Sequence, residues 1–388
     1  MIYYGKQDIN EADIQAVAAV LRSDFLTQGP AIERFERRVA EYCGVKYAVA
    51  VCNATSALHI ACLAAGLGKG DLLWTSPITF VASANCARYC SADVDFVDID
   101  DNTYNMSVPA LERKLQKARR QGRLPKIVVP VHMAGQSCDM RPIKKLSEEY
   151  GFTLLEDASH CIGADYVDTK VGSCAYSDMA VLSFHPVKII TTGEGGMVLT
   201  NDANLYERLC LYRSHGITRD PKHMTKASDG DWYYQQVALG FNYRMTDIQA
   251  ALGVSQMDRL DEFVARRRYL ATRYDALLRD LPLRTPFVLE GAQPSWHLYI
   301  VRIDFDRVHK TKQQIFTEMR ARGITLNLHY IPVHTQPYYR ELGFAYGDFP
   351  ASERYYEQAL TLPLYYGLSD AQQEDVALAL RECIAETE

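Results

Sequence analysis

Short apolar runs alternate with helical patterns over the first two hundred residues of the chain. The runs lie at 47–52, directly after Asp71, and within 92–100, 126–135, 152–160 and 179–184. Between several of these runs, apolar residues recur at helical spacing, as they do over 109–120. A repeated order of strand, helix and strand is typical of a mainly parallel sheet with helices on both faces. The pattern therefore predicts an α/β fold.

The pattern changes beyond about residue 256. It predicts a long helix, a strand pair around 297–305, a helix over 312–322 and a strand over 323–333. That order favours a smaller α+β unit. With 388 residues and 48% hydrophobic content, the chain is long enough for two cores. We therefore expect a large domain at 1–255 and a small C-terminal domain at 256–388.

Charge and composition exclude several classes of protein. The formal net charge is −6, so the surface as a whole does not attract nucleic acid or an anionic membrane. Neither a charged leader nor an apolar window of membrane-spanning length is present, which predicts a cytoplasmic protein. Ten cysteines without a CxxC pair indicate reduced, mostly buried thiols and argue against a zinc site. No metal is expected.

The segment SFHPVKIITTGEGG, at 183–196, carries the main chemical signal. It follows an apolar strand and holds a single lysine, Lys188, among threonines and glycines that suit a loop close to a ligand. A partly desolvated lysine has a lowered pKa and can attack a carbonyl as a neutral amine. An isolated lysine is usually a solvated surface residue, so the interpretation depends on its companions.

Asp157 is the first companion, at the end of the apolar strand FTLLED and 31 residues before the lysine. Ligands usually meet an α/β sheet at such strand ends. An aspartate there is otherwise often a helix cap or half of an ion pair. Together the two residues suit pyridoxal 5′-phosphate (PLP), which needs a lysine for its aldehyde and an acid against its ring nitrogen.

The turn at 53–56 is a candidate binding site for the phosphate group. Small polar residues there join the strand at 47–52 to an alanine-rich helix, whose N-terminus offers free backbone N–H groups. A capped helix without a ligand has the same sequence pattern. No Walker-type or GxGxxG motif competes for this role.

These residues resemble the sugar-nucleotide aminotransferases of the DegT type, which are PLP enzymes of fold type I. The resemblance rests on EDASH (156–160), SFHPVK (183–188), ITTGEGG (190–196) and GFNYRMTD (240–247), and it covers nearly the whole chain. Four further motifs are similar to the branch that acts in pseudaminic acid biosynthesis: NATSALHIA, SPITFVASAN, RSHG and NLHYIPVHTQPYY. The resemblance implies PLP as cofactor, L-glutamate as amino donor with 2-oxoglutarate as its product, and a UDP-linked 4-keto sugar as acceptor.

The resemblance also implies the roles of individual residues. Lys188 and Asp157 are the catalytic pair, and both contact the cofactor. The other expected cofactor contacts are Ala54, Thr55, Phe80, His160, Ser183 and Asn242. The expected substrate contacts are Tyr4, Asp24, Phe25, Leu26, Thr27, Asn327, Leu328, His329 and Tyr330. Asn242 is expected to reach the phosphate in a neighbouring subunit, which implies a homodimer.

Each of these positions has a plainer interpretation. An aromatic residue such as Phe80 is usually part of a core, a histidine beside a strand end is usually structural, and Asn242 precedes a helix that it could cap. A neighbouring sugar aminotransferase, such as the one that makes UDP-4-amino-4-deoxy-L-arabinose, has nearly the same core motifs. A non-enzymatic regulator on the same scaffold would carry a DNA-binding helix-turn-helix or lack the lysine, and the chain shows neither.

Overall fold

The computed structural model of the protein describes residues 1–384, which form thirteen α-helices, fifteen β-strands and two 3₁₀ turns. The helices are α1 (Glu11–Leu21), α2 (Pro30–Cys43), α3 (Ala54–Ala64), α4 (Ala82–Tyr89), α5 (Val108–Gln121), α6 (Met140–Tyr150), α7 (Ala203–Arg213), α8 (Asp247–Met257), α9 (Leu260–Leu277), α10 (Lys312–Ala321), α11 (Pro337–Glu341), α12 (Pro350–Gln358) and α13 (Asp370–Ile384). The 3₁₀ turns are Met133–Gly135 and Val333–Thr335.

All fifteen strands belong to one large sheet or to three small ones. They are β1 (Tyr47–Val51), β2 (Leu72–Thr75), β3 (Asp93–Phe96), β4 (Ile127–Val129), β5 (Thr153–Asp157), β6 (Asp165–Tyr166), β7 (Thr169–Lys170), β8 (Met179–Ser183), β9 (Gly196–Thr200), β10 (Ile217–Thr218), β11 (Gln235–Gln236), β12 (Leu283–Arg284), β13 (Ala292–Gln293), β14 (Tyr299–Ile303) and β15 (Ala359–Leu362). The large sheet has seven strands in the order β1-β9-β8-β5-β4-β2-β3.

The large sheet is mainly parallel and covered on both faces, as the sequence predicts. Strands β3, β2, β4, β5 and β8 pair in parallel, and only β9 runs antiparallel to its two neighbours. Successive side chains of a strand point to opposite faces. Accordingly, Leu182 packs in one apolar cluster with Phe35, and Val181 packs in another with Ile60. The fold is an α/β fold of the predicted class.

Two helix caps fix the loops that surround the sheet's carboxyl edge. The Asn53 side chain accepts a 2.8 Å hydrogen bond from the Ser56 N–H at the start of α3. The Thr246 hydroxyl accepts a 3.2 Å hydrogen bond from the Gln249 N–H, and the Gln249 side chain accepts one from the Thr246 N–H in return. This reciprocal cap marks the start of α8.

The C-terminal region has its own apolar cluster, which includes Tyr274, Tyr299 and Leu380. The predicted strand over 323–333 is wrong. Only Ile324 and Asn327 make single bridges there, to Ile2 and to Thr361 respectively. A proline at 332 cannot donate to a strand ladder, which shortens any pairing. The predicted division at 255/256 remains a prediction, and residues 385–388 of the predicted small domain lie outside the described residues.

Three other features of the described chain bear on the sequence predictions. All ten cysteines are free and eight are buried, as expected for reduced thiols. Within residues 1–384, no helix is long and apolar enough to cross a bilayer. The same residues contain no group of three or more histidine, cysteine, aspartate or glutamate side chains placed to hold a metal ion.

Candidate active site

A cavity of about 630 Å³ lies where the parallel strands of the large sheet end. Its walls come from the start of α3, the loops after β5 and β8, and the segment 327–330. Twelve of the residues singled out in the sequence line it: Tyr4, Ala54, Thr55, Phe80, Asp157, His160, Ser183, Lys188, Asn327, Leu328, His329 and Tyr330. The structure thus brings together side chains that are more than 300 positions apart.

Lys188 lies in the loop that follows β8. Its backbone N–H donates a 2.9 Å hydrogen bond to the His185 carbonyl, which fixes a turn directly after the strand. Burial lowers the pKa of the Lys188 amine to about 8, although the negative charge of Asp157 opposes that shift. A larger fraction of this amine than of an ordinary lysine is therefore neutral and nucleophilic near neutral pH.

Asp157 ends β5, which lies next to β8 in the sheet. The Ser83 hydroxyl donates a 2.6 Å hydrogen bond to its Oδ2, and the Ser159 hydroxyl donates a 2.5 Å hydrogen bond to its Oδ1. The Ser159 backbone N–H also donates to Oδ1, at 3.1 Å. These donors hold the carboxylate in one orientation at the cavity wall.

Three histidines and a tyrosine also line the cavity. His160 Nε2 lies 3.2 Å from the Tyr330 hydroxyl, and the His160 and His297 rings have centroids 4.5 Å apart. Burial and then the charge of Lys188 lower the pKa of His160 and of His297 well below the usual histidine value. The same two causes lower the pKa of His329 to about 3. All three imidazoles are therefore neutral at physiological pH.

The residues present fit PLP. The N-terminus of α3 offers its backbone N–H groups at Ala54 and Thr55, and Gly196 packs so close that a Cβ there would lie 2.5 Å from the Ala54 nitrogen. His160 Nδ1 is buried without a hydrogen-bond partner in the described chain. Phe80 is 57% exposed at the cavity wall, so it is free to cover a flat ligand and is not a core residue.

Five of the predicted site residues do not line this cavity. The loop residues Asp24, Phe25, Leu26 and Thr27 are exposed, and so is Asn242. The loop is nevertheless fixed, because Asp247 accepts hydrogen bonds from the N–H groups of Gly29 and Ala31. Asn242 is held by a bridge to Ser214. Their predicted contacts with ligands remain predictions.

Sequence reasoning missed several residues of the cavity. Ser83 and Ser159 contact Asp157, and His297 packs on His160. Ser159 could have been found, because a serine two positions after an aspartate often bonds to it in a local turn. Ser83 and His297 carry no comparable local signal, because the fold brings them to the site from distant segments.

Comparisons with known proteins identify the family of the chain. The model of the DegT/DnrJ/EryC1/StrS aminotransferase family matches residues 7–381. The spore coat polysaccharide biosynthesis protein SpsC of Bacillus subtilis is 38% identical over 379 residues, which cover 97% of this chain and 95% of SpsC.

Two solved structures are also similar over almost their whole length. Helicobacter pylori PseC, an aminotransferase involved in the biosynthesis of pseudoaminic acid, has a TM-score of 0.90 and 30% identity, with 99% of each chain covered. The PLP form of Spr1654 from Streptococcus pneumoniae, a putative sugar aminotransferase by its description, has a TM-score of 0.88 and 27% identity. That match covers 98% of this chain and 97% of Spr1654.

The fold and its cavity define a PLP-dependent aminotransferase of fold type I. More particularly, the chain belongs to the DegT/DnrJ/EryC1/StrS aminotransferase family. This finding confirms the resemblance that the sequence motifs indicate. It is a PLP-dependent sugar aminotransferase.

Proposed function

We propose that the protein transfers the amino group of L-glutamate to the C4 ketone of UDP-2-acetamido-2,6-dideoxy-β-L-arabino-hexos-4-ulose. This is the reaction of the UDP-4-amino-4,6-dideoxy-N-acetyl-β-L-altrosamine transaminase in pseudaminic acid biosynthesis. The observation that carries the proposal is one cavity that holds Lys188, Asp157 and the polar segment 327–330. The similarity to H. pylori PseC supports this choice of sugar.

Lys188 and Asp157 are the proposed catalytic residues. PLP, when bound, accepts the electrons released at the amino donor's α-carbon and carries the amino group between the two substrates. The partly buried amine of Lys188 anchors the cofactor aldehyde and then removes and returns protons at the reacting carbons, for which a pKa of about 8 suits it. Asp157, fixed by Ser83 and Ser159, keeps a proton on the ring nitrogen.

The remaining cavity wall is the proposed sugar site. Tyr4 and His329 lie with their ring centroids 5.4 Å apart, and Asn327, two positions before His329, also lines the cavity. The His329 Nδ1 lies 2.9 Å from the Thr361 hydroxyl, which fixes the ring orientation. Because His329 is neutral, it can hydrogen-bond sugar hydroxyls or a ketone without adding a positive charge beside Lys188.

A homodimer is part of the proposal. Asn242 is exposed and lies outside the cavity of its own chain, so it is free to reach the cofactor phosphate of a neighbouring subunit. Phe25 and Leu26 are 53% and 47% exposed in the loop that we expect to border the sugar. Adjacent exposed apolar side chains favour a covered surface over a solvated one. A cytoplasmic location remains a prediction.

A panel of 4-keto sugar nucleotides tests the choice of substrate. The enzyme is supplied with PLP, L-glutamate and one of three ketones: the proposed UDP-hexosulose, the UDP-linked pentose 4-ketone and a dTDP-linked 4-keto-6-deoxyhexose. Mass spectrometry then detects the aminated product. We expect the highest kcat/KM with the UDP-hexosulose. Turnover of the pentose ketone alone would reject this substrate in favour of the UDP-4-amino-4-deoxy-L-arabinose reaction.

A second candidate is the amination of a different nucleotide-linked 4-keto sugar for a surface polysaccharide. The observation that favours it is the 38% identity to SpsC, which exceeds the 30% identity to PseC. The same panel separates the two candidates, because this one predicts preference for the dTDP-linked ketone or activity with none of the UDP sugars.

A further inference from the structure

Arg267 is a buried cation without an acidic partner. It lies on α9 and is 2% exposed, and among residues 1–384 no carboxylate comes within ion-pair distance of it. Burial lowers its pKa to about 10, so the guanidinium remains charged at neutral pH. A buried charge is costly unless hydrogen bonds satisfy it. Such a residue is therefore expected to have specific acceptors.

The acceptors of Arg267 are three backbone carbonyls from two separate segments. Its Nη1 donates to the carbonyls of Trp296 and His297, each at 3.2 Å, and to the carbonyl of Leu364 at 3.0 Å. One guanidinium thus joins the segment before β14 to the segment after β15.

Both segments support the active-site cavity. The His297 side chain lines the cavity and packs on His160. The Leu364 N–H donates a 3.0 Å hydrogen bond to the carbonyl of Tyr4, which also lines the cavity. Arg267 therefore contacts the backbone of one lining residue, His297, and is linked through Leu364 to another, Tyr4, without itself lining the cavity.

The segment at 296–297 is held by contacts with several other segments. Trp296 has a φ of 53°, which non-glycine residues rarely adopt. The Ala134 carbonyl accepts a 3.1 Å hydrogen bond from the Leu298 N–H, and Gly135 packs so tightly that a Cβ there would lie 2.7 Å from the His297 nitrogen. Arg267 adds its hydrogen bonds to the carbonyls of Trp296 and His297 in this same segment.

We propose that Arg267 is a positioning residue of the aminotransferase site, which acts through the backbone of His297 and of Leu364. It sets the place of the His297 ring against His160 and the place of Tyr4 at the sugar-facing wall. This proposal rests on the PLP-dependent activity of the family and not on the identity of the sugar. The Arg267 proposal can therefore fail while the proposed substrate is correct, and the proposed substrate can be wrong while the Arg267 proposal is correct.

Two variants and a matched control test the proposal. Arg267→Met keeps much of the side-chain volume but removes every donor, whereas Arg267→Lys keeps a charge that can reach part of the same carbonyl set. The control is Arg268→Met. Arg268 is the next residue on α9 and also donates to backbone carbonyls, those of Pro294, Gln293 and Gly163, but it is half-exposed and lies outside the cavity.

Hydrogen exchange of the cofactor-free protein, followed by mass spectrometry, gives a readout that is independent of activity. In Arg267→Met we expect faster exchange in the peptides that contain the N–H groups of Leu298 and Leu364. In Arg268→Met the Leu364 peptide is expected to exchange at the wild-type rate. Thermal denaturation sets an assay temperature at which every variant is folded.

Kinetics of the PLP-loaded enzyme give the second readout, with any amino donor that the wild type accepts. We expect kcat/KM of Arg267→Met to fall on the order of 100-fold, because small displacements of site residues have effects of this size. Arg267→Lys should recover part of the loss, and Arg268→Met should retain wild-type kinetics.

If Arg267→Met keeps wild-type kinetics and exchange at Leu364 while only its melting temperature falls, the residue is structural and the proposal is overturned. If it does not fold, Arg267→Lys decides by the same two readouts.

Discussion

The Ser83 hydroxyl donates a 2.6 Å hydrogen bond to the Oδ2 atom of Asp157, from a helix 74 positions earlier in the chain. With Ser159 on the other carboxylate oxygen, this contact fixes the orientation of the acid proposed to face the cofactor ring. Hydrogen bonds to a charged group contribute about 1.5–3 kcal/mol.

Replacement of Ser83 should therefore impair catalysis without unfolding the protein. We expect Ser83→Ala to lower kcat/KM by about tenfold or more, the effect of losing one hydrogen bond to a charged group. Ser147→Ala is the control, because Ser147 is also buried but bonds only to Lys144 in its own helix. Steady-state kinetics of both variants check this, and equal kcat/KM values would contradict the role of Ser83.

The pH dependence of cofactor capture follows from the lowered pKa of Lys188. The neutral amine attacks the PLP aldehyde, so the rate at which cofactor-free protein binds PLP should rise with pH and level off above about pH 8. An ordinary lysine would give a rise that continues beyond pH 10. Stopped-flow absorbance measures this rate.

Asp157→Asn tests the direction in which Asp157 shifts the pKa of Lys188. The charge of Asp157 raises the pKa of Lys188 against the effect of burial. Its removal should therefore move the midpoint of the rate profile below pH 8. A midpoint that moves upward would show that the two groups do not interact as the geometry indicates.

Gly196 should tolerate no side chain. A Cβ there would lie 2.5 Å from the Ala54 nitrogen and 2.5 Å from the Asn53 carbonyl carbon, at the start of α3. We expect Gly196→Ala to lower the free energy of unfolding by about 1–3 kcal/mol through overpacking and to weaken PLP binding. Gly68→Ala is the control, because its Cβ would meet nothing within 4 Å. Urea denaturation measures the change in the free energy of unfolding, and PLP titration measures the change in affinity. An unchanged PLP affinity would argue against a phosphate-binding site at this turn.

Mixing two inactive variants tests whether Asn242 serves a neighbouring subunit. Lys188→Ala and Asn242→Ala should each be inactive alone. If Asn242 acts across a dimer interface, random re-association gives mixed dimers with one intact site, and about a quarter of wild-type activity returns. If no activity returns although mass spectrometry shows mixed dimers, Asn242 does not act in the partner's site.

The sequence predicts much of this site because its strongest signals are local. Asp157 ends one strand and Lys188 follows another, both with a clear apolar pattern, and these strands, β5 and β8, are neighbours in the sheet. The start of α8 is also predictable, since Thr246 and Gln249 form a capping pair within four residues. In such cases the chemistry of a short segment determines its structure.

Other parts depend on contacts between distant segments, which local patterns do not encode. The apolar alternation at 323–333 predicts a strand, but only single bridges to Ile2 and Thr361 form there. Ser83 and Arg267 gain their roles from partners far away in sequence. The exposed loop at 24–27 lies outside the cavity of its own chain.

Borohydride reduction of the PLP-loaded enzyme, followed by peptide mapping, tests the central claim most directly. Reduction makes the bond between lysine and cofactor permanent, so mass spectrometry can locate it. We predict that the cofactor mass is found on Lys188 alone and is lost in Lys188→Arg together with amino transfer. A label on another lysine, or full amino transfer by Lys188→Arg, would contradict the account.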